Sequence, residues 1–454
     1  MKRGLADVMD AWLQDSGRRP MVLRGARQVG KTWLVRDLAA RSGRDLVELN
    51  FERDPSLKRH FATNDPRNIL AELSLASGRD IHPETAILFL DEIQAASPLL
   101  AKLRWFYEEL PALPVVAAGS LLEFALAAPT FSVPVGRIGF RHVEPMGFAE
   151  YLEAHGAQRL LSTLREWRPG KEPSPAAHEK ATEWFHRYAM VGGMPAAVKA
   201  DVEGRPPREV RELQRELVAT YRADFARYSG RMDRDILDSV LRAVAASLGR
   251  KFVYAHVGEG VKQQQAKRGL DLLVQARLVH EVRHTAANGL PLGAEVKDGR
   301  RKAVLADVAL LHALVGTPAG TAFPAETALA PALRGQLAEQ LAAQQLRLFH
   351  DGAADGPELF YWQREGSSPG EIDYLVQLGG RIVPLELKSG AAGAMKSLHQ
   401  FVHDKRLGLA VRCDANPPSH QVVDVKTTRG DRVTYRLLGV PPYLLHRVPA
   451  LLEE

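Results

Sequence analysis

Short apolar runs alternate with longer helical patterns over roughly the first 150 residues. PMVLRG, DLVELNF, TAILFLDE and LPVVAAGS are strand-sized, and the stretches between them predict helices, so this region reads as strand–helix units around a mostly parallel sheet. A Pro-rich polar stretch at 168–178, RPGKEPSPAAH, predicts a loop. From about 179 to 315 the pattern turns helical, with apolar spacing of three and four residues in LQRELVATYRADFARY and ILDSVLRAVAASLG. GTPAGTAFPAETALAP (316–331) is a second break. Beyond it come a helix, the short strands ELFYWQ, EIDYLVQL and RIVPLELKS, and then helix and strand again. The shifts divide the chain into an α/β unit at 1–155, a helical linker at 156–230, a third unit at 231–318 and a C-terminal α/β unit at 319–454.

Composition narrows the class without naming it. With 45% hydrophobic and 25% charged residues, the 454-residue chain is an ordinary globular protein, not a disordered one. Lys+Arg 60 against Asp+Glu 54 gives +6, which permits a polyanionic partner but does not demand one. A single cysteine, Cys413, excludes a disulfide framework and a Cys-rich zinc site. The opening MKRGLADVMDAWLQ lacks the apolar core of a signal peptide, and nowhere do roughly 18 apolar residues run together, so a cytoplasmic protein without a membrane span is expected.

The chemistry starts after the first strand. Gly25-Ala26-Arg27-Gln28-Val29-Gly30-Lys31-Thr32 fits G-x-x-x-x-G-K-[ST] in full, with MVL before it as a strand and TWLVRDLAAR after it as a helix. Glycines let backbone N–H groups wrap phosphates, and the helix N-terminus adds a positive dipole end. Lys31 is then expected at the β- and γ-phosphates and the Thr32 hydroxyl on Mg²⁺, with these eight residues and Trp33 forming the ATP-binding set. Ile87–Glu92 is an apolar strand ending in two acids: Asp91 for the metal, Glu92 to polarise the attacking water. The next strand ends in Ser120, either a sensor of the γ-phosphate or a helix cap. Arg137 and Arg141 follow a Gly/Pro turn and are candidate sources of positive charge for the transition state, from the same chain or from a neighbour in a homo-oligomer.

Residues 235–315 read as helix, short extended piece, helix and β-ribbon, the outline of a winged helix. Leu270, Leu273 and Val274 make an apolar stripe that leaves Lys262, Gln263, Gln264, Lys267 and Arg268 on another face. The ribbon's turns are expected at Asn-Gly and Asp-Gly. From 249 to 284 there are seven Lys/Arg against three Asp/Glu, a balance suited to DNA or to a solvated face that packs on the first unit.

Near the C-terminus, Glu371-Ile372-Asp373-Tyr374 opens one strand, and Glu386-Leu387-Lys388 closes another thirteen residues beyond Asp373. Residues two apart in a strand share a face, so Glu386 and Lys388 project together. Two carboxylates on Mg²⁺, Asp373 and Glu386, with Lys388 beside them suit phosphodiester cleavage, whereas a solvated strand face is the plain alternative. Glu339 and Gln400 lie on flanking helices, and Pro384 argues against a fully bonded central strand.

The ordered set LRGARQVGKT, AILFLDEIQ, VAAGSLLEF, SVPVGRIGFRHVEPMGFAEYL, GRKFVYAHV, TAANGLPLGAEV and EIDYLVQLGGRIVPLELKSG resembles prokaryotic AAA-type (STAND-like) P-loop ATPases fused to a C-terminal domain of unknown function. The resemblance covers nearly the whole chain. It implies an AAA-type core, a winged-helix segment and a restriction-endonuclease-like C-terminal fold. It carries ATP binding onto Gly30, Lys31 and Thr32, metal and hydrolysis roles onto Asp91 and Glu92, and nuclease-like positions onto Asp373, Glu386 and Lys388, with Ile372 in place of the proline of PD-(D/E)xK. Two functions stay open: a nucleotide-driven, DNA-directed and possibly DNA-cleaving machine, or a nucleotide-switched scaffold that binds protein.

Overall fold

Five short strands build the first sheet in a computed structural model, which describes residues 1–126, 136–228, 232–319, 331–350, 356–365, 370–388, 390 and 393–453. The strands are β1 (Met21–Arg24), β2 (Asp45–Asn50), β3 (Ala86–Asp91), β4 (Val115–Ala118) and β5 (Gly139–His142), in the order β2-β3-β4-β1-β5, and every pairing is parallel. β3 and β4 are buried at every position, as a sheet covered on both faces requires. β5 escaped the sequence reading because Gly-Phe-Arg-His has no apolar run; its partner β1 decides it. The order reverses around β1, and the C-terminal ends of β3, β4 and β1 open side by side.

Helices dominate 148–228 and return at Arg234–Ser247 and Gln263–Gln275. The expected loop at 168–178 is shorter than its composition suggested. Ser174 accepts the N–H of Ala177, Pro175 takes the first helical position, where its missing N–H is harmless, and the helix Pro175–Val191 follows. Part of the second break, 320–330, lies outside the described residues.

The remaining strands are β6 (Val279–Thr285), β7 (Val296–Leu305), β8 (Leu359–Gln363), β9 (Glu371–Leu378), β10 (Arg381–Leu387), β11 (Leu409–Cys413), β12 (Ser419–Lys426) and β13 (Arg432–Val440). They form one mixed sheet, β12-β13-β11-β10-β9-β8-β6-β7, so the β6–β7 ribbon is continuous with the C-terminal strands through a parallel β6–β8 pairing. The Asp-Gly pair of the ribbon is no turn. It lies within β7, where pairing with β6 shifts between Arg283 and Thr285, and Gly299 takes φ +85°. Pro384 does sit in a central strand: β10 pairs with β11 only from Leu385 onward, so the missing N–H precedes that ladder.

A buried polar seam ties the parts together just after β7. Along one face of the helix Pro331–Leu346, Gln340 bonds both backbone groups of Leu305 (2.9 and 2.8 Å), and Gln344 accepts the N–H of Val308. Arg347, beyond the helix end, donates to the carbonyls of Leu305 and Ala306 and pairs with Glu144 at 3.0 Å. Asp307 accepts the N–H of Gly193 and of Ala309, each at 2.8 Å. Gly192 and Gly193 must be glycines here, since a Cβ would stand 2.2 Å from Asp307 Oδ1 or 2.1 Å from the Met146 carbonyl. Around the seam one apolar core runs from Met9 and Leu34 through Tyr188 and Leu241 to Leu385 and Val411. Among the described residues no helix is long and apolar enough to cross a membrane.

Beneath this core His312 is sealed as a neutral imidazole. Nε2 donates to the Ala189 carbonyl (2.8 Å) and Nδ1 accepts from the Thr317 hydroxyl (3.0 Å). Burial lowers its pKa to about 4, and it lowers those of His186 and His446 to about 4 as well. Between about 4 and 6.5 the unfolded chain therefore binds the extra protons, and stability present above pH 6.5 is lost as the pH falls, at about 1.4 kcal/mol per pH unit for a fully buried histidine. Thermal unfolding scanned from pH 7.5 to 4.5 is expected to show a midpoint dropping below pH 6.5, with a shallower drop in His312→Gln. Equal slopes in the two proteins would contradict this account.

Candidate functional site

The turn after β1 is shaped by residues at positive φ: Gly25 (142°), Gln28 (66°) and Gly30 (96°). Gly25 also faces the backbone of the loop after β5, where a Cβ would stand 2.3 Å from the Val143 carbonyl. Gly30 precedes the helix Lys31–Ser42, whose first N–H groups therefore point into the loop. Lys31 folds back into its own loop and donates to the carbonyls of Gly25 (2.9 Å) and Ala26 (2.8 Å). Burial lowers its pKa to about 8, and Glu92 and Asp91 partly offset that. Trp33 points outward and is 40% exposed.

Two strands away, β3 brings in the acids. The Thr32 hydroxyl lies 3.3 Å from both carboxylate oxygens of Asp91, which also accepts from the Asn50 amide at 3.0 Å. Burial, then the neighbouring Glu92, raises the Asp91 pKa. Glu92 adopts φ 51°, a left-handed conformation that turns its side chain toward the end of β4. There it accepts from the Ser120 N–H and hydroxyl, each at 3.2 Å, and from Gln94 at 2.6 Å. Ser120 thus bonds the second acid through both its N–H and its hydroxyl. The hydroxyl–carboxylate pair Thr32–Asp91 is the donor set that Mg²⁺ accepts beside phosphates.

Arg137 stands apart from the phosphate loop. It pairs with Glu108 near the C-terminal end of the helix Leu99–Glu109, and it precedes β5, whose first residue aligns with Met21 at the start of β1. The phosphate loop follows the other end of β1, roughly 10 Å along the strand. The Glu108 ion pair therefore holds Arg137 at the edge of the sheet opposite the loop. Arg141 aligns with Leu23 on β5 and donates to the Phe140 carbonyl.

Several residues that surround the loop gave no sequence signal. Arg3 is buried and donates to the Val29 carbonyl (2.7 Å) and the Glu144 carbonyl (2.6 Å), and it pairs with Glu150 (3.0 Å). Arg27 pairs with Asp224 at 2.6 Å, and the Tyr221 hydroxyl donates to the Arg27 carbonyl at 2.8 Å, both from the helix Pro207–Tyr228. Arg277, in a left-handed conformation (φ 59°) after the helix Gln263–Gln275, lies 3.4 Å from Glu123 and 2.9 Å from His142 Nδ1. Glu123 in turn receives Arg24, the residue before the loop, at 2.7 Å. Apart from Arg3–Val29, these contacts join positions 99 or more residues apart, so no local pattern announces them.

The C-terminal acids gather in a second centre. Asp373 on β9 accepts the Leu387 N–H at 2.6 Å, and Glu386 accepts from Lys388 at 2.6 Å. Glu339 approaches from the helix Pro331–Leu346, with its carbonyl taking the Tyr374 hydroxyl at 3.0 Å. Gln400 belongs elsewhere, bonded to Asp404 and Thr428. A basic residue absent from the sequence reading enters this centre: Lys302 of β7, 1% exposed, with Nζ 2.5 Å from Glu371 and 3.5 Å from Glu339. Burial disfavours its charge, yet Glu339 and Glu371 hold its pKa above the ordinary value. Burial raises the pKa values of Glu339, Asp373 and Glu386. Among the described residues no three His, Cys, Asp or Glu side chains converge as a metal would require.

On the helix Gln263–Gln275, Leu270 and Leu273 are buried while Lys262, Gln263, Gln264, Lys267 and Arg268 are exposed, as their spacing predicted.

Comparison with known proteins matches this geometry in three segments. Residues 17–152 match the AAA domain family, 182–321 a domain of unknown function (DUF8612), and 334–434 another domain of unknown function (DUF4143). No curated protein sequence matches the chain. Among solved structures, a Walker-type ATPase of Pyrococcus abyssi is similar at 19% identity and a TM-score of 0.41, over 68% of this chain and 94% of that one.

The close approach at Gly25 makes a direct test. Gly25→Ala places a methyl on the Val143 carbonyl at an unfavourable φ, with an expected loss of about 1–3 kcal/mol from the backbone strain alone. Gly43→Ala, also at positive φ but in open space, is expected to lose about 1–2 kcal/mol. Thermal unfolding ranks the two, and fluorescent-ADP binding is expected to fail only in the Gly25 variant.

Proposed function

We propose, from a chain whose residues 17–152 are an AAA-type P-loop ATPase domain, that ATP is hydrolysed at the site of Lys31, Thr32, Asp91 and Glu92 and that its state is passed to a DNA-directed second half. The observation that carries the first part is the meeting of loop and acids: a buried Lys31 in the phosphate loop, with Thr32 on Asp91 and Glu92 held one residue beyond.

In this reading the backbone N–H groups of residues 28–32 cradle the phosphates, and Lys31 exchanges the carbonyls of Gly25 and Ala26 for phosphate oxygens. When bound, Mg²⁺ held by Thr32 and Asp91 supplies charge neutralisation at those phosphates. Glu92 orients the attacking water once it turns from Ser120 and Gln94, so these two residues hold the base out of reach until ATP arrives. Transmission is supported by the two bridges that leave the loop: Arg27 to Asp224, and Arg24 through Glu123 to Arg277. Arg277 directly follows the helix that exposes Lys262, Lys267 and Arg268, the basic face suited to a phosphate backbone.

Lys31→Ala is expected to lose ATP binding, whereas Glu92→Gln should bind ATP and turn it over about 100-fold more slowly. Undiminished turnover in Lys31→Ala would sink the assignment. Duplex-DNA binding should weaken steeply from ~50 to ~200 mM salt. It should weaken further in Lys267→Glu/Arg268→Glu at unchanged ATPase rate. DNA binding absent at low salt would instead favour the protein-binding scaffold.

A further inference from the structure

A nuclease-like reading of the C-terminal half needs its acids free to take a divalent cation, and their occupancy argues otherwise. Glu339, Glu371, Asp373 and Glu386 come together from one helix and the strands β9 and β10. Each carboxylate already has one partner from the protein: Lys302 for Glu371 (2.5 Å) and Glu339 (3.5 Å), the Leu387 N–H for Asp373, and Lys388 for Glu386, while Glu339 Oε2 and Glu386 Oε2 are buried without a hydrogen bond. Lys302 comes from neither of the strands that carry the acids. It reaches in from β7, the last strand of the sheet, with its ammonium 5.2 Å from the Tyr361 ring centroid.

We infer that the Lys302 ammonium is the resident cation of this acidic centre and takes the place a divalent ion would fill, so the C-terminal unit neither holds Mg²⁺ nor cleaves phosphodiesters.

The physical argument rests on burial. An ammonium 1% exposed is strongly unfavourable unless acids surround it. Conversely, acids crowded in a dry pocket repel one another unless a cation sits among them. Either a fixed lysine or a bound ion meets that need, and here the lysine is part of the chain. Because it is carried by the β6–β7 ribbon, the same ion pair fastens the ribbon to the C-terminal strands, a structural use that a nuclease centre would not require. The phosphate-loop reading does not depend on this inference, and the test below leaves that site without nucleotide.

Mn²⁺ titration of the full chain, free of nucleotide and followed by the electron paramagnetic resonance of free Mn²⁺, separates the possibilities. Wild type and Asp373→Asn are expected to bind the same number of ions. Lys302→Met is expected to gain one ion, with a Kd on the order of 0.1–1 mM, and Lys302→Met/Glu339→Gln to lose it again. A wild-type site removed by Asp373→Asn would overturn the inference, as would a folded Lys302→Met chain with no gain. If Lys302→Met does not fold, the comparison of wild type with Asp373→Asn still decides.

Discussion

The buried polar seam at Leu305–Val308 is the constraint on which the arrangement of the whole chain depends. A segment that leaves an edge strand and dives into the core carries N–H and C=O groups that must be paired there. Gln340 and Gln344 meet them from one helix and Arg347 from just beyond its end, and Arg347 goes on to Glu144 in the ATPase domain. Asp307 meets the backbone at Gly193, where two consecutive glycines let the chains approach. A buried, unpaired polar group costs several kcal/mol, so these bonds determine the relative placement of three sequence-distant regions more sharply than the apolar contacts around them. Hydrophobic burial holds the parts together, and the seam selects one register between them.

That rigidity bears on how the nucleotide site reaches the rest of the molecule. The phosphate loop is gripped from outside by Arg3, by Asp224 and Tyr221, and through Arg24 by Glu123 and Arg277. Loop, helix and ribbon-bearing unit therefore share polar and charged contacts in addition to the apolar core. Such contacts can be exchanged when phosphate charges enter, whereas close-packed side chains tolerate little displacement. Lys31 and Glu92 both rest on protein partners in this state, one on loop carbonyls and the other on Ser120 and Gln94.

The second acidic centre follows a different logic. Its carboxylates are assembled with the geometry of strand neighbours, yet they are served by lysines and a backbone N–H. Strand spacing alone brings Glu386 and Lys388 to one face in any protein with that pattern. What the centre does depends on what the remaining elements insert, and here they insert Lys302.

Local signals carried much of this protein. The strand-sized apolar runs, the G-x-x-x-x-G-K-T loop and the Asp-Glu strand end were legible because each is written within eight residues and obeys backbone geometry alone. The apolar stripe of the helix at 263–275 was legible for the same reason, its period being that of the helix. β5 was not, since its strand character comes from pairing with β1 and not from its own residues. The Asp-Gly dipeptide by itself predicts a turn, and only the register with β6 makes it an irregularity within a strand. The place of Arg137 was not legible either, since a parallel sheet sends the start and end of each strand to opposite edges and only the register with β1 shows which edge it takes. Lys302, Arg347, Asp307 and Asp224 were silent because their partners lie far away along the chain. Short-range sterics and hydrogen bonding, which act between near neighbours, are written into any stretch of residues; which buried charges face one another is settled when distant segments share a low-dielectric interior and must satisfy one another.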